Sequence, residues 1–166
     1  MADREKESLI LSDNRLSSIE RCLSSLHLST AAKCILLSDI AGQLIARVGL
    51  TGELDVVNLV SLLAGGFGVT FEMANYLGEK EAFNLNYHEG STYDVYSANV
   101  GRKLFITLIF DHQARESKIG LVWLYMKRAI PELLEIMTTS GQTTTLQAID
   151  AEFGASLSEK LDNLFT

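Results

Sequence analysis

Basic residues are scarce in this chain: 14 Lys and Arg stand against 21 Asp and Glu, a formal charge of −7 over 166 residues. That balance argues against DNA or RNA as a partner, because phosphate binding rests on clustered Lys and Arg. Cysteine is nearly absent too, and Cys22 and Cys34 alone cannot build a disulfide framework or a four-ligand zinc site. Both stand in apolar segments, which suits buried thiols in a reducing compartment. The three histidines, His27, His88 and His112, show no metal-ligand spacing. No metal or cofactor is therefore expected.

The start, Met1 to Glu7, alternates charges and lacks a basic stretch followed by a long apolar run, so no signal peptide is expected. The richest apolar stretch, Leu54 to Phe71, is interrupted by Asp55, Asn58, Ser61 and glycines, and is expected not to span a membrane. Together these features place the chain in the cytoplasm.

Phosphate loops are missing as well. Gly65-Gly66-Phe67-Gly68 has Phe71 where a dinucleotide fingerprint needs its third glycine, and no Gly-Lys pair exists for a Walker loop. No direct nucleotide binding is expected. No serine stands in a Gly-x-Ser-x-Gly elbow, and Glu132, Glu135, Asp150 and Glu152 read as solvated charges. The chain is not expected to be an enzyme.

What is present is a single domain's worth of patterned apolar residues, 47% of the chain. Leu16, Ile19, Leu23 and Leu26 follow helical spacing, with Ser12 or Asp13 as N-cap. Ala32 to Leu37 and Gln43 to Val48 read as a hairpin turned at Asp39 and Gly42. A helix over 55–77 stops at Gly78. Strands follow at Ala82 to Tyr87, Tyr93 to Val100 and Lys103 to Phe110, with His88 to Ser91 as a turn. A last helix spans Ser117 to Met137, with Pro131 expected to kink or restart it. The fold class is α+β: a five-stranded, mostly antiparallel sheet with helices on its faces, in the order α-β-β-α-β-β-β-α. The domain covers 1–137, a Thr/Ser/Gly linker 138–147, and an amphipathic tail 148–166. That tail carries four carboxylates against Lys160, net −3, and an apolar ridge of Phe153, Leu157, Leu161 and Leu164.

The central helix is unusual. Glycine inside a helix costs about 1 kcal/mol relative to alanine, so Gly65, Gly66 and Gly68 need a compensating contact. Three stripes run along it. Leu59, Leu62, Leu63, Gly66, Met73 and Leu77 are expected to seat on the sheet. Val60, Ala64, Phe67 and Phe71 make a second apolar stripe, and Ser61, Gly65, Gly68, Glu72 and Asn75 a small, polar third. A helix apolar on two faces is covered on two faces, which points to another chain. The alternative is that the glycines relieve crowding against the chain's own first helix.

Several ordered motifs carry a family resemblance: Asp39-x-x-Gly42-Gln43-Leu44, Ala64-Gly65, Leu77-Gly78-Glu79, Phe83 with His88-Glu89-Gly90, and Phe110-Asp111. Beyond them come Gly120-Leu121-Val122 with Leu124, Lys127-Arg128-Ala129, and the end Asp162-Asn163-Leu164-Phe165. In this order the chain resembles the roadblock/dynein light chain domain, especially its MglB-type bacterial members, regulators of Ras-like gliding and polarity GTPases. The resemblance implies a homodimer with central helices paired across a two-fold axis, presented to one small Ras-like GTPase. Such a regulator accelerates hydrolysis by holding the GTPase's own switch loops and catalytic arginine and glutamine in place. The alternative is a scaffold or adaptor that binds a GTPase or another roadblock-type chain without altering catalysis. By the resemblance, the partner-binding residues are Ala64, Gly65, Gly68, Glu72 and Asn75, with Ser61 added from the same stripe. Val60, Phe67 and Phe71 serve the dimer or core. The family usually has a small residue where Glu72 stands, and basic ones where Trp123 and Tyr125 stand. The tail residues Leu157, Leu161, Leu164 and Phe165 are expected to dock on a partner surface as a helix in a groove.

Overall fold

In the computed structural model, residues 13–114 and 119–139 are described. The element order is α1 (Asp13–Thr30), β1 (Cys34–Asp39), β2 (Leu44–Gly49), α2 (Val56–Leu77), β3 (Asn86–Glu89), β4 (Tyr93–Val100), β5 (Leu104–Asp111) and a short 3-10 turn (His112–Ala114). A third helix, α3, occupies 119–139. The five strands form one antiparallel sheet in the order β2-β1-β5-β4-β3.

The sheet is covered on both faces, and that dictates the strand composition. On one face Ile35, Leu37, Ala46, Tyr96, Ile106, Leu108 and Phe110 pack with Ile19, Leu23 and Leu26 of α1 and Val122, Met126 and Leu133 of α3. On the other, Cys34, Leu36 and Ile109 pack with Val56 and Val60 of α2. The central strands β1 and β5 are therefore buried along nearly their whole length, so they read as continuous apolar runs instead of alternating ones.

Local chemistry sets the joints. The Asp39 carboxylate accepts the Gln43 N–H at 2.8 Å, and Gly42 turns the hairpin at φ 89°. A Cβ on Gly42 would lie 3.1 Å from the Ser61 Cα, so this turn packs directly against α2. Asp55 caps α2 by accepting the Asn58 N–H at 3.2 Å, and Gly78 ends it in the left-handed region, donating to the carbonyls of Ala74 and Asn75. The serines of α1 are absorbed locally: Ser17, Ser18 and Ser29 donate to the carbonyl four residues back. Asp94, with its side chain 4% exposed, accepts the Gly90 N–H at 3.3 Å and stands 3.0 Å from His112 Nδ1, fastening the β3–β4 turn to the end of β5.

Four expectations change. The third strand lies at Asn86–Glu89, not at 82–87, because the tight Gly90–Thr92 connection sets pairing from the turn backward, Glu89 opposite Asp94 and Asn86 opposite Ser97. The segment before it is held irregularly, with Asn99 Nδ2 donating to the Phe83 carbonyl. His88 and Glu89, expected in a turn, are thus strand residues on the sheet edge. The last helix runs through Pro131 without interruption and on to 139, where Thr138 and Thr139 donate to carbonyls of the preceding turn. The linker is therefore still helical at its first two residues. Ser12, Ser117, the linker beyond Thr139 and the tail residues Leu157, Leu161, Leu164 and Phe165 lie outside the described residues.

α2 is long and apolar enough, by length and composition alone, to cross a membrane. Its interruptions are uncharged apart from Glu72, so they do not exclude that reading. In the fold, Val56, Val60 and Ala74 seat it on the sheet instead.

Candidate functional site

The outer face of α2 is the unusual surface of this protein. Val56, Val60 and Ala74 are buried, and the Phe67 ring lies against Phe105 with centroids 4.5 Å apart. The sheet-facing stripe is therefore the one running through Val60 and Phe67. The stripe expected there points largely outward: Leu62 is 74% exposed, Met73 50% and Leu77 66%, while Leu59 keeps partial cover. Val69, at 71%, and Tyr76, at 94%, extend the uncovered apolar surface. The reason is geometric. Apolar residues surround most of this helix, so periodicity alone cannot fix which arc meets the sheet.

The small polar stripe keeps most of its members on one exposed arc. Ser61, Gly65, Gly68, Glu72 and Asn75 are all exposed, while Ala64 is half-buried toward the β1–β2 turn. Of the apolar trio, Val60 and Phe67 serve the core, and Phe71 is about half exposed. A Cβ built on Gly65, Gly66 or Gly68 meets nothing within 4 Å. Moreover, α1 packs on the opposite face of the sheet, so the glycines cannot be relieving crowding against it. Nothing among the described residues accounts for three glycines in mid-helix.

Orientation adds a further feature. Ser61 and Ala64 approach the β1–β2 turn, and Leu59 packs against the cluster of Cys34, Leu36, Val56, Val60 and Ile109. The small polar stripe thus leans toward the β2 side of the sheet. β3 is the other edge strand of the sheet, with no strand beyond it among the described residues.

Elsewhere the chemistry is bland. Burial pushes the Cys22 thiol up to about 12, aided by Glu132, and the Cys34 thiol to about 11, so both are protonated at neutral pH. Among the described residues no group of three His, Cys, Asp or Glu side chains is placed to hold a metal. Of two shallow depressions, one follows α2 at Gly78 to Asn84 and one lies between α1 and α3, where Ser18 and Glu132 both line it but the Ser18 hydroxyl donates to the Asn14 carbonyl. Trp123 and Tyr125 pack against the α1/α3 side of the core, with Lys127 Nζ 5.0 Å from the Trp123 ring centroid. They lie across the sheet from α2.

Comparison with known proteins gives the family. Myxococcus xanthus MglB matches with 31% identity and a TM-score of 0.71, over 78% of this chain and 95% of that one. The gliding protein MglB from Thermus thermophilus matches at 27% identity and TM-score 0.69, over 78% and 96%. A Roadblock/LC7 domain from Streptomyces avermitilis shares the fold at 12% identity and TM-score 0.60, over 69% and 92%. No family model and no curated protein matches the sequence.

Proposed function

The chain belongs to the roadblock family, in its MglB-type branch, and from that premise we propose that it is a homodimeric regulator of a small Ras-like GTPase. The observation that carries the reading is the face of α2 left uncovered by the described residues, with exposed apolar side chains and three glycines that meet no neighbour among those residues. In this reading two copies pair through α2 and present their small polar stripes to one GTPase. The glycines let the partner's backbone approach closely.

The regulator acts as a GTPase-activating protein without an active site of its own. It holds the GTPase's switch loops so that the GTPase's catalytic groups meet the developing phosphoryl charge, a positioning and electrostatic role. The protein itself binds no nucleotide and no nucleic acid, works in the cytoplasm without membrane insertion, and serves cell polarity or gliding. The 138–166 segment contributes its apolar ridge to partner docking.

The test is GTP turnover by a small Ras-like GTPase from the same cell, with and without this protein. Stimulated turnover is expected. Binding with unchanged turnover would leave a scaffold or adaptor, the reading favoured by Glu72 standing exposed on the stripe. Absence of binding would remove both.

A further inference from the structure

The outer face of α3, across the sheet from α2, is left uncovered by the described residues and differs in charge from the chain as a whole. We infer that the chain's own tail, residues 148–166, folds back antiparallel along this face, setting its ridge of Phe153, Leu157, Leu161 and Leu164 on Leu121, Leu124 and Pro131.

The face itself is amphipathic. Leu121, Leu124, Arg128 and Pro131 recur at steps of 3, 4 and 3, which places them on one arc of α3, and all four are exposed. The inner arc, Val122, Met126, Ala129 and Leu133, is buried in the core. Single exposed leucines are ordinary, but here they stand beside a segregated charge. Residues 119–131 hold Lys127 and Arg128 and no Asp or Glu, a local +2 in a chain of −7.

Charge complementarity selects the occupant and its direction. Residues 148–166 set four carboxylates against Lys160, net −3, beside their apolar ridge. An apolar segment with acidic flanks matches an apolar face with basic flanks. Glu159 and Asp162 stand in the second half of the tail, and Lys127 and Arg128 stand ahead of Glu132 and Glu135 in α3. Only an antiparallel return brings the second half of the tail to the basic turns and keeps it from the acidic ones.

Length permits the return within one chain. The thirteen residues between Thr139 and Phe153 span up to about 45 Å when extended, whereas Leu121 lies about 27 Å back along the helix from Thr139. Wound as the helix its spacing predicts, the ridge from Phe153 to Leu164 is about 16 Å long, close to the roughly 15 Å from Leu121 to Pro131. The return needs neither a second copy nor a GTPase. A ridge held on α3 is closed to other surfaces, so its docking on a partner requires release.

Trp123, the one tryptophan of the chain, flanks this arc half-buried, with Lys127 Nζ 5.0 Å from its ring centroid. The experiment attaches bimane, a probe quenched by contact with tryptophan, to the full chain carrying Thr166→Cys. Native Cys22 and Cys34 are buried at 3% and 0% exposure and stay unlabelled. Quenched emission is expected, relieved by Trp123→Phe, by Leu161→Asp in the ridge and by Arg128→Glu on the arc, each variant shown to be folded by circular dichroism. Emission that fails to rise in any one of the three overturns the docking. A second arm carries the probe on a Trp123→Phe chain mixed with unlabelled parent chain. Unchanged emission is expected there; quenching would place the tail on a second copy and overturn the return within one chain.

Discussion

Substituting Gly68→Arg separates the fold from its use. Among the described residues the new side chain enters open space, since a Cβ at Gly68 meets none of their atoms within 4 Å. The helix interior loses its glycine penalty, a gain of about 1 kcal/mol, because arginine is nearly as good a helix former as alanine. For a domain of this size that corresponds to about 4 °C in the melting midpoint. At the partner surface the effect is opposite: a long charged side chain stands where backbone approach is required, so GTPase binding and stimulation of turnover are lost. Gly68 lies on the small polar stripe, apart from the exposed Leu62, Val69 and Tyr76, so self-association is expected to persist. Thermal unfolding by circular dichroism, light scattering and GTP turnover, all at one protein concentration, read the three effects separately. A folded variant that stimulates turnover like the parent would refute the stripe as partner surface. A loss of stability greater than about 1 kcal/mol, the size of the helix-propensity gain, would show that the glycine serves its own protomer.

Phe67→Ala removes a half-buried ring from its stack on Phe105 and should cost about 2 kcal/mol in urea unfolding, whereas Val57→Ala, at a side chain 70% exposed, should cost under about 0.5 kcal/mol. Equal costs would mean that α2 is rotated from the orientation given. Asp94→Ala removes the acceptor of the Gly90 N–H and the partner of His112, and should lower stability by about 2 kcal/mol at pH 7; hydrogen exchange should quicken first in β3 and its turn. Cys22 and Cys34 have native pKa values raised to about 12 and about 11 from an ordinary 9.0, so the unfolded chain releases their protons first. Their contribution is fully present below about pH 9 and is lost as pH rises from there toward those values; the urea midpoint should therefore fall between about pH 7 and about pH 10, with a shallower fall in Cys34→Ala.

Much of the fold was legible because its signals are local. Leu16, Ile19, Leu23 and Leu26 define one apolar arc against a polar remainder, and three of the four are buried as that arc requires. Asp39 with Gly42, and Asp55 with Gly78, set a turn and two helix ends through hydrogen bonds within four residues or through a positive φ. The grouping of Ser61, Gly65, Gly68, Glu72 and Asn75 on one exposed arc was legible for the same reason, since spacing along one helix fixes which residues share an arc.

The sequence by itself determined the elements, their order and the grouping of residues on α2. It did not determine which arc of α2 meets the sheet, because leucine, valine and phenylalanine surround most of that helix and any of several arcs could be buried. Nor did it place β3, whose edge position tolerates His88 and Glu89 and whose register comes from the Gly90–Thr92 turn and from Ser97 to Asp94 across the ladder. Both depend on contacts between segments distant in sequence. Only the packed sheet, with α1 and α3 filling one face, left α2 as the one described helix on the other and its remaining leucines, valine and tyrosine exposed among the described residues.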